Sequence, residues 1–171
     1  MSMTESLRRV RDAYAGDEER PLAGYLASLG TYAALVGVAA LVGRRRGVRL
    51  PERFSAGDVV LLSVATHKAS RLLTKSSVTS VLRAPFTRYA GAAGEAEVHE
   101  SVRHDGGRHA VGELVTCPFC SGVWVAGALV AGRVFAPRVT RLVMTALTAV
   151  AASDWLHIGY DHAKQVSAVP S

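Results

Sequence analysis

The chain has 171 residues and a mass of 18.1 kDa, which is enough for one domain of ordinary size. Hydrophobic types make up 49% of it and charged types 20%, while aromatic residues reach 6%, so the apolar part consists mainly of Ala, Val and Leu. A net charge of +6 fits either a nucleic-acid-binding protein or a membrane protein with basic cytoplasmic loops. Both cysteines lie in one Cys117-Pro118-Phe119-Cys120 motif, which excludes a secreted fold held by several disulfides.

The first apolar block predicts a transmembrane helix. Residues 21–42 carry no charge, and about twenty residues at a rise of roughly 1.5 Å each cross a hydrocarbon core of about 30 Å. Arg44, Arg45 and Arg46 follow at once and mark the end of the block. A buried helix of a soluble protein is the alternative, but so short a chain has too little protein to surround it.

The second segment, about residues 57–74, is apolar but interrupted by polar and charged side chains. Ser63, His67, Ser70 and Thr74 recur at helical spacing and form a polar seam on one face. Such a helix can span the membrane if its seam faces other helices, and we predict that it does. The alternative is an amphipathic helix that lies on the membrane surface.

Two later apolar runs, about residues 120–135 and 140–160, are joined by a turn at Ala136-Pro137-Arg138 and predict a helical hairpin. The predicted fold class is an all-α membrane protein with four transmembrane helices in one domain, residues 21–160, between a polar arm, residues 1–20, and a tail, residues 161–171. Small residues four positions apart, Gly30 with Ala34 and Gly127 with Ala131, permit close helix contacts and leave a homo-oligomer open.

Charge counts predict the orientation of the loop at residues 75–119. With four spans, 12 Lys and Arg share the side of this loop and 8 lie on the other side, which puts the loop in the cytoplasm. With three spans the counts are 13 and 7, and the loop is again cytoplasmic, but the N-terminus lies on the opposite side. We predict four spans with both ends inside, so the chain is a multi-pass protein of the cell membrane and the lipid bilayer is its partner.

The loop combines the signals of a β-hairpin with a cluster of charges. Asp105-Gly106-Gly107 is a tight-turn signal, so strands are predicted at about residues 96–103 and 107–112, and Gly91–Gly94 is predicted to be flexible. Basic side chains alternate with Glu in this region, namely Arg83, Arg88, His99, Arg103, His104, Arg108 and His109. They form either a solvated charged loop or a basic site for an anionic ligand or lipid headgroup. Nucleic acid is not an expected partner, because no helix-turn-helix pattern is present and few aromatic residues accompany the basic ones.

Cys117 and Cys120 stand directly before an apolar helix, where unpaired backbone N–H groups favour a thiolate. Three interpretations stay open: a structural pair that caps and packs the helix entry, two ligands of a metal, or a redox dithiol. Zinc is the cofactor that this spacing suits, but a closed zinc site needs further ligands from His99, His104 or His109, or from a second chain. We take His109 as the candidate third ligand.

A second polar cluster is predicted inside the membrane. Asp154 and His157 share one face of the last helix, and their natural partners are His67, Lys68 and Arg71 of the second segment. Arg71 is the expected counter-ion of Asp154, because its planar guanidinium can bind a carboxylate through two hydrogen bonds. A metal or proton site is the alternative to a structural ion pair.

Three blocks of the sequence resemble a family of bacterial membrane proteins. They are residues 65–89, 108–126 and 153–157, which follow in order within about residues 57–160. The family is known as domain of unknown function 1360 and includes sporulation-associated membrane proteins. The resemblance implies an integral membrane location and, in some members, an association with sporulation. It implies no catalytic residue.

Together these features predict a non-enzymatic membrane scaffold or interaction protein. The alternatives are a metal-binding or thiol-redox membrane enzyme that uses Cys117 and Cys120, and a small transporter that uses the polar seam. The chain contains no glycine-rich phosphate loop, nucleophile elbow or HExxH motif, which disfavours an enzyme.

Overall fold

The apolar runs of the sequence form helices, and the polar segment in the middle of the chain folds into a small unit of its own. The computed structural model describes residues 21–103 and 107–167, together with positions 5, 6, 9, 13 and 14. The elements in chain order are α1 (Leu22–Arg45), α2 (Ala56–Thr74), α3 (Ser80–Arg83), β1 (Thr87–Gly94), β2 (Glu97–Val102), α4 (Gly107–Thr116), α5 (Pro118–Phe135) and α6 (Pro137–Ser167). The described chain is thus mostly helical, with one two-stranded hairpin.

Three of these helices are long and apolar enough to cross a membrane. They are α1 with 24 residues, α5 with 18 and α6 with 31. The 19 residues of α2 include Asp58, Lys68 and Arg71, and this helix is not apolar enough to join them by composition alone. Three candidate spans are therefore found, and the predicted fourth is not confirmed.

Helix α2 packs against both α5 and α6, and the contacts give the direction of each helix. Asp58 at the start of α2 lies beside Arg133 near the end of α5, so these two helices are antiparallel. Lys68, farther along α2, meets Asp154 of α6, so these two run in the same direction. Ala65 of α2 is fully buried.

Helix α1 lies beside α5 and runs in the same direction, because Tyr32 meets Trp124 near the start of α5 and Gly43, farther along α1, lies next to Phe135 at the end of α5. The ring of Tyr32 meets that of Trp124 edge to face at a centroid distance of 5.2 Å. A methyl group added at Gly127 would lie 2.7 Å from the Tyr32 hydroxyl, so the absence of a side chain there allows the two helices to approach. A methyl group at Gly30, in contrast, would meet nothing within 4 Å, so Gly30 makes no close helix contact within this chain.

The predicted polar seam of α2 does not face inward as a whole. Ser70 and Thr74 are buried, whereas Ser63 and His67 are exposed. The hydroxyl groups of Ser63, Ser70 and Thr74 donate to carbonyl oxygens of α2 itself, which satisfies them without a second helix. The prediction that the seam faces other helices was therefore right for its second half and wrong for its first.

The loop between α2 and α5 contains a hairpin. Its second strand, β2, confirms the strand predicted at about residues 96–103, but the partner strand precedes it in the sequence instead of following it. Strands β1 and β2 pair antiparallel around Glu95 and Ala96, and Ala96 adopts a positive φ of 58° at the turn. Gly91–Gly94, which we expected to be flexible, belongs to β1, and residues 107–112 form the start of α4 rather than a strand. Asp105 and Gly106 lie outside the described residues.

Residues 75–103 and 107–116, here called the cap, form one unit at the end of the bundle where α2 ends and α5 begins. The backbone N–H of Val98 donates to the carbonyl of Lys75 at 2.9 Å, and that of Ser77 donates to the carbonyl of Ala96 at 3.0 Å. These bonds fasten the hairpin to the last turn of α2. On the other side α4 packs against β2, where a methyl group at Gly112 would clash with Val102.

Candidate functional site

Arg83 is the centre of the cap. Its residue surface is 1% exposed, and its guanidinium binds both oxygens of Glu100, at 2.7 Å and 3.1 Å. It also donates to the carbonyl oxygens of Leu73 at 2.8 Å and Ser76 at 3.0 Å, and to the hydroxyl of Thr79 at 2.7 Å. These five bonds use every donor that an arginine has. Arg83 therefore joins the end of α2, the start of α3 and strand β2.

This geometry corrects the prediction of a basic ligand site that includes Arg83. A guanidinium with all its donors bound inside the protein has none left for an anionic ligand. Arg103 is also engaged, because its Nε donates to the carbonyl oxygen of Thr87 at 2.9 Å. Arg88 and Arg108 are exposed and stay candidates for contact with lipid headgroups.

The polar cluster of α2 and α6 forms in part, but with a different pairing. Asp154 binds the Lys68 ammonium at 2.5 Å, while Arg71 turns to Glu97 of β2. The predicted Arg71–Asp154 pair is therefore wrong, because the first residue of β2 supplies a carboxylate to Arg71. His67 and His157 are both exposed and do not complete a buried cluster with this pair.

A second ion pair joins the opposite end of the bundle and was not expected from the sequence. Asp58 accepts from the backbone N–H of Ser55 as part of a capping box that starts α2. The same carboxylate lies 3.3 Å from the Arg133 guanidinium and 3.8 Å from that of Arg141. The Ser-x-x-Asp spacing identifies the helix start, but nothing in the sequence indicates that the capping carboxylate also joins α5 and α6.

Cys117 caps the N-terminus of α5. Its sulfur accepts a hydrogen bond from the backbone N–H of Cys120 at 3.3 Å, and Pro118 occupies the first turn. Partial burial raises the pKa of the Cys117 thiol, but hydrogen bonds from the Cys120 thiol and from backbone N–H groups, with the positive charge of Lys75, outweigh it. The net effect is a pKa below the usual value, which favours the thiolate.

The structure does not bring His109 to the two cysteines as a metal ligand. His109 lies 3.4 Å from Glu113 of the same helix. Among residues 21–103 and 107–167, no group of three His, Cys, Asp or Glu side chains is arranged to hold a metal ion. His99 lies on the exposed face of β2, and His104 is outside the described residues. The described part of the chain therefore offers zinc no closed site.

A groove with a volume of about 300 Å³ lies between α1, α4 and α5, directly beside the cysteine pair. Its walls include Tyr25, Tyr32, Leu114, Cys120 and Trp124, and they are mostly apolar. One polar contact crosses it, because the Tyr25 hydroxyl donates to the Glu113 carboxylate at 2.5 Å.

Sequence reasoning did not find the groove, or the pairing of Arg83 with Glu100. A signal for Glu100 was present, since it lies between Val98 and Val102 on the inward face of a strand with two-residue periodicity. A carboxylate at such a position requires a buried partner. No comparable signal connects α1 with α4, which lie far apart in the sequence.

Comparisons with known proteins agree with the membrane family that the sequence resembles. The family model described as "Protein of unknown function (DUF1360)" matches residues 61–160. The sporulation protein YjcA of Bacillus subtilis (strain 168) is 35% identical over 69 residues, which are 39% of this chain and 58% of that protein. The match thus spans less than two thirds of the relative's length. No solved structure matches the chain. Because the family model covers more than half of the chain, the protein belongs to the DUF1360 family.

Proposed function

We propose that the protein is a multi-pass membrane scaffold, in which four helices hold the cap at the cytoplasmic face for interaction with a partner. The observation that carries this proposal is the attachment of the cap by buried Arg83. A loop that only joined two spans would not need a fully bonded arginine at its centre, whereas a surface that must keep a defined shape and orientation does.

The directions of the helices support the four-span topology. Since α1 and α5 run one way and α2 and α6 the other, the start of α1, the cap and the end of α6 share one side of the bundle. In the four-span count this side has 12 of the 20 Lys and Arg residues, which favours the cytoplasm.

The charges of α2 are compatible with a span because each has a partner. Its 19 residues extend about 28 Å, close to the thickness of the hydrocarbon core. Asp58 lies at one end with Arg133, and Arg71 lies near the other end with Glu97. Lys68, one turn deeper, is paired with Asp154. Paired charges that face neighbouring helices cost much less in a membrane than isolated ones.

The biological setting follows from the relative alone. YjcA is named a sporulation protein, and we extend a role in sporulation to this chain as part of the proposal. The exposed Arg88 and Arg108 of the cap would also contact anionic lipid headgroups at the cytoplasmic face.

A thiol-redox function is the second candidate, and one observation favours it. Cys117 accepts the N–H of Cys120 at the start of α5, which is the arrangement that stabilises a reactive thiolate at a helix N-terminus. A transporter gains no comparable support, because the polar seam is divided between buried and exposed positions. The zinc alternative lacks a third ligand in the described residues.

Topology is tested by thiol labelling of intact cells with a membrane-impermeant maleimide. The wild-type thiols of Cys117 and Cys120 should be labelled only after the membrane is permeabilised. In a variant without native cysteines, Glu52→Cys on the opposite side should be labelled from outside, whereas Val78→Cys in the cap should not. Labelling of Val78→Cys in intact cells would overturn the orientation.

The scaffold role is tested by photocrosslinking in the native host. A photoreactive amino acid at Val78, which is 82% exposed on the cap, should give a discrete protein adduct. The same group at Leu35 on the exposed face of α1 is the matched control and should give none. Failure of exposed cap positions to form any adduct, while the protein is present at its normal level, would contradict the scaffold role.

A further inference from the structure

Cys120 forms part of the wall of the groove, and this arrangement suggests a redox reaction between the cysteine pair and a molecule bound in the groove. Cys120 lines the groove, and Cys117 lies behind it at the helix N-terminus. The Cys117 sulfur accepts the backbone N–H of Cys120 at 3.3 Å, so the two residues are in direct contact. They can therefore form a disulfide within one helical turn, and any electron acceptor in the groove would lie next to Cys120.

The walls of the groove limit what this acceptor can be. Apart from the Tyr25–Glu113 contact the lining is mainly apolar and partly aromatic, and it lies between two helices that are apolar enough to span a membrane. A volume of about 300 Å³ is at the lower end for ligand pockets and suits a single ring system. The apolar lining favours an apolar acceptor over a polar one.

We propose that Cys117 and Cys120 pass two electrons to a lipid-soluble quinone that binds in this groove. The inference rests on the thiol-redox candidate above and names its oxidant. A quinone is flat and apolar, reaches the groove from the lipid, and accepts the two electrons that a dithiol releases. The Glu113 carboxylate, which accepts the Tyr25 hydroxyl, lines the same groove and can carry protons to the quinone oxygens.

The reaction balances with no further reactant. Two S–H bonds break, and one S–S bond forms between Cys117 and Cys120. The two electrons and two protons that leave the sulfurs go to the two oxygens of the quinone, which becomes a hydroquinone. Cys120 is the sulfur that lies next to the quinone, and Cys117, three residues away, completes the disulfide. Where Cys117 starts as a thiolate, its proton has already passed to solvent and the second proton of the hydroquinone is taken from there, so the totals of two electrons and two protons are unchanged.

The test uses the full chain, reduced beforehand and placed in phosphatidylcholine nanodiscs without oxygen. The probe is a short-chain ubiquinone whose ring is fully substituted and so offers no ring C–H position for addition of a thiol. One equivalent should remove both maleimide-reactive thiols of each chain and yield one hydroquinone. Neither Cys117→Ser nor Cys120→Ser should form the disulfide.

A groove variant separates specific binding from general oxidation. Ser28 lines the groove but is outside the thiol pair, so Ser28→Trp should fill the space without altering the sulfurs. It should slow oxidation by the quinone at least about tenfold more than it slows oxidation by diamide. This ratio corresponds to a loss of about 1.4 kcal/mol of quinone-binding free energy. Ala33→Trp, on the exposed face of α1, is the matched control and should behave as wild type.

The outcomes distinguish this inference from the function on which it rests. If diamide forms the disulfide but the quinone does not, or if the quinone oxidises Ser28→Trp as fast as wild type, the quinone inference is wrong and the thiol-redox candidate stands. If neither oxidant forms a disulfide between Cys117 and Cys120, both are wrong.

Discussion

Replacing Arg83 with methionine should open the cap. Methionine approximates the length and apolar stem of arginine but provides no charge and no donors. The change leaves the carboxylate of Glu100, whose side chain is 5% exposed, without its counter-ion. It also removes the donors that bind the carbonyl oxygens of Leu73 and Ser76. The hairpin should therefore lose its attachment to α2.

The expected cost follows from burial. Breaking a buried ion pair by removing one partner costs about 3–5 kcal/mol, because the remaining charge is uncompensated. At about 1.4 kcal/mol for each factor of ten, this corresponds to a rise of roughly a hundredfold to a few thousandfold in the population of the opened cap. The double variant Arg83→Met with Glu100→Leu should recover part of the loss, since no buried charge is left.

Hydrogen exchange of the backbone amides of β1 and β2, in the full chain in detergent micelles, measures this opening directly. Arg88→Met is the matched control, because Arg88 lies in the same hairpin but is exposed. An exposed site of this kind should change stability by no more than about 0.5 kcal/mol. Exchange of the Arg83→Met hairpin at a rate close to that of the Arg88→Met control would refute the assignment of Arg83 as the centre of the cap.

Three further predictions follow from other contacts. The double variant Asp154→Asn with Lys68→Met should lose less free energy of unfolding than the sum of the two single losses, and the difference should be about 0.5–3 kcal/mol. Unfolding in detergent micelles measures these losses, and strict additivity would exclude the pair. The alkylation rate of Cys117, followed by mass spectrometry, should reach half its maximum at a lower pH in the folded protein than in the unfolded chain, because a lowered pKa extends the thiolate to lower pH. Equal midpoints in the two states would contradict this. Gly112→Ala should destabilise the cap by about 1–3 kcal/mol in thermal melts, because the added methyl group clashes with Val102 of β2. Gly122→Ala is the control and should be neutral or stabilising, because its added methyl group has no other atom within 4 Å.

The helices could be predicted from the sequence because their signals are local. The uncharged run at residues 21–42 predicts α1 nearly as it occurs, and Pro137 in the predicted turn marks the start of α6. The strand at about residues 96–103 was predicted correctly, but the turn and the partner strand were misplaced because Asp105-Gly106-Gly107 is the strongest local turn signal. The turn instead forms at Glu95 and Ala96, where the hydrogen bonds of β2 to the end of α2 determine the register.

The error in the hairpin also explains the error in the ion pair. Lys68 and Arg71 are three residues apart on α2, so both point to a similar side of the helix, and the sequence alone does not decide which of them reaches Asp154. The choice depends on Glu97, which β2 brings to Arg71. The strand that carries Glu97 was predicted, but its partner was expected after it instead of before it, so the contact of β2 with the end of α2 was not foreseen. Long-range contacts of this kind depend on a register that local patterns do not determine.

The charge partners of α2 have a consequence for the order in which the protein is assembled during synthesis. Arg133, which pairs with Asp58, comes 75 residues later in the chain, and Asp154, which pairs with Lys68, comes 86 residues later. At about 5–20 residues per second, a ribosome needs roughly 4–17 seconds to supply the second partner after α2 has been made. During that time the nascent α2 carries unpaired charges and cannot settle into its final position. The helix that is second in the chain is therefore among the last to be secured, after α6 has been translated.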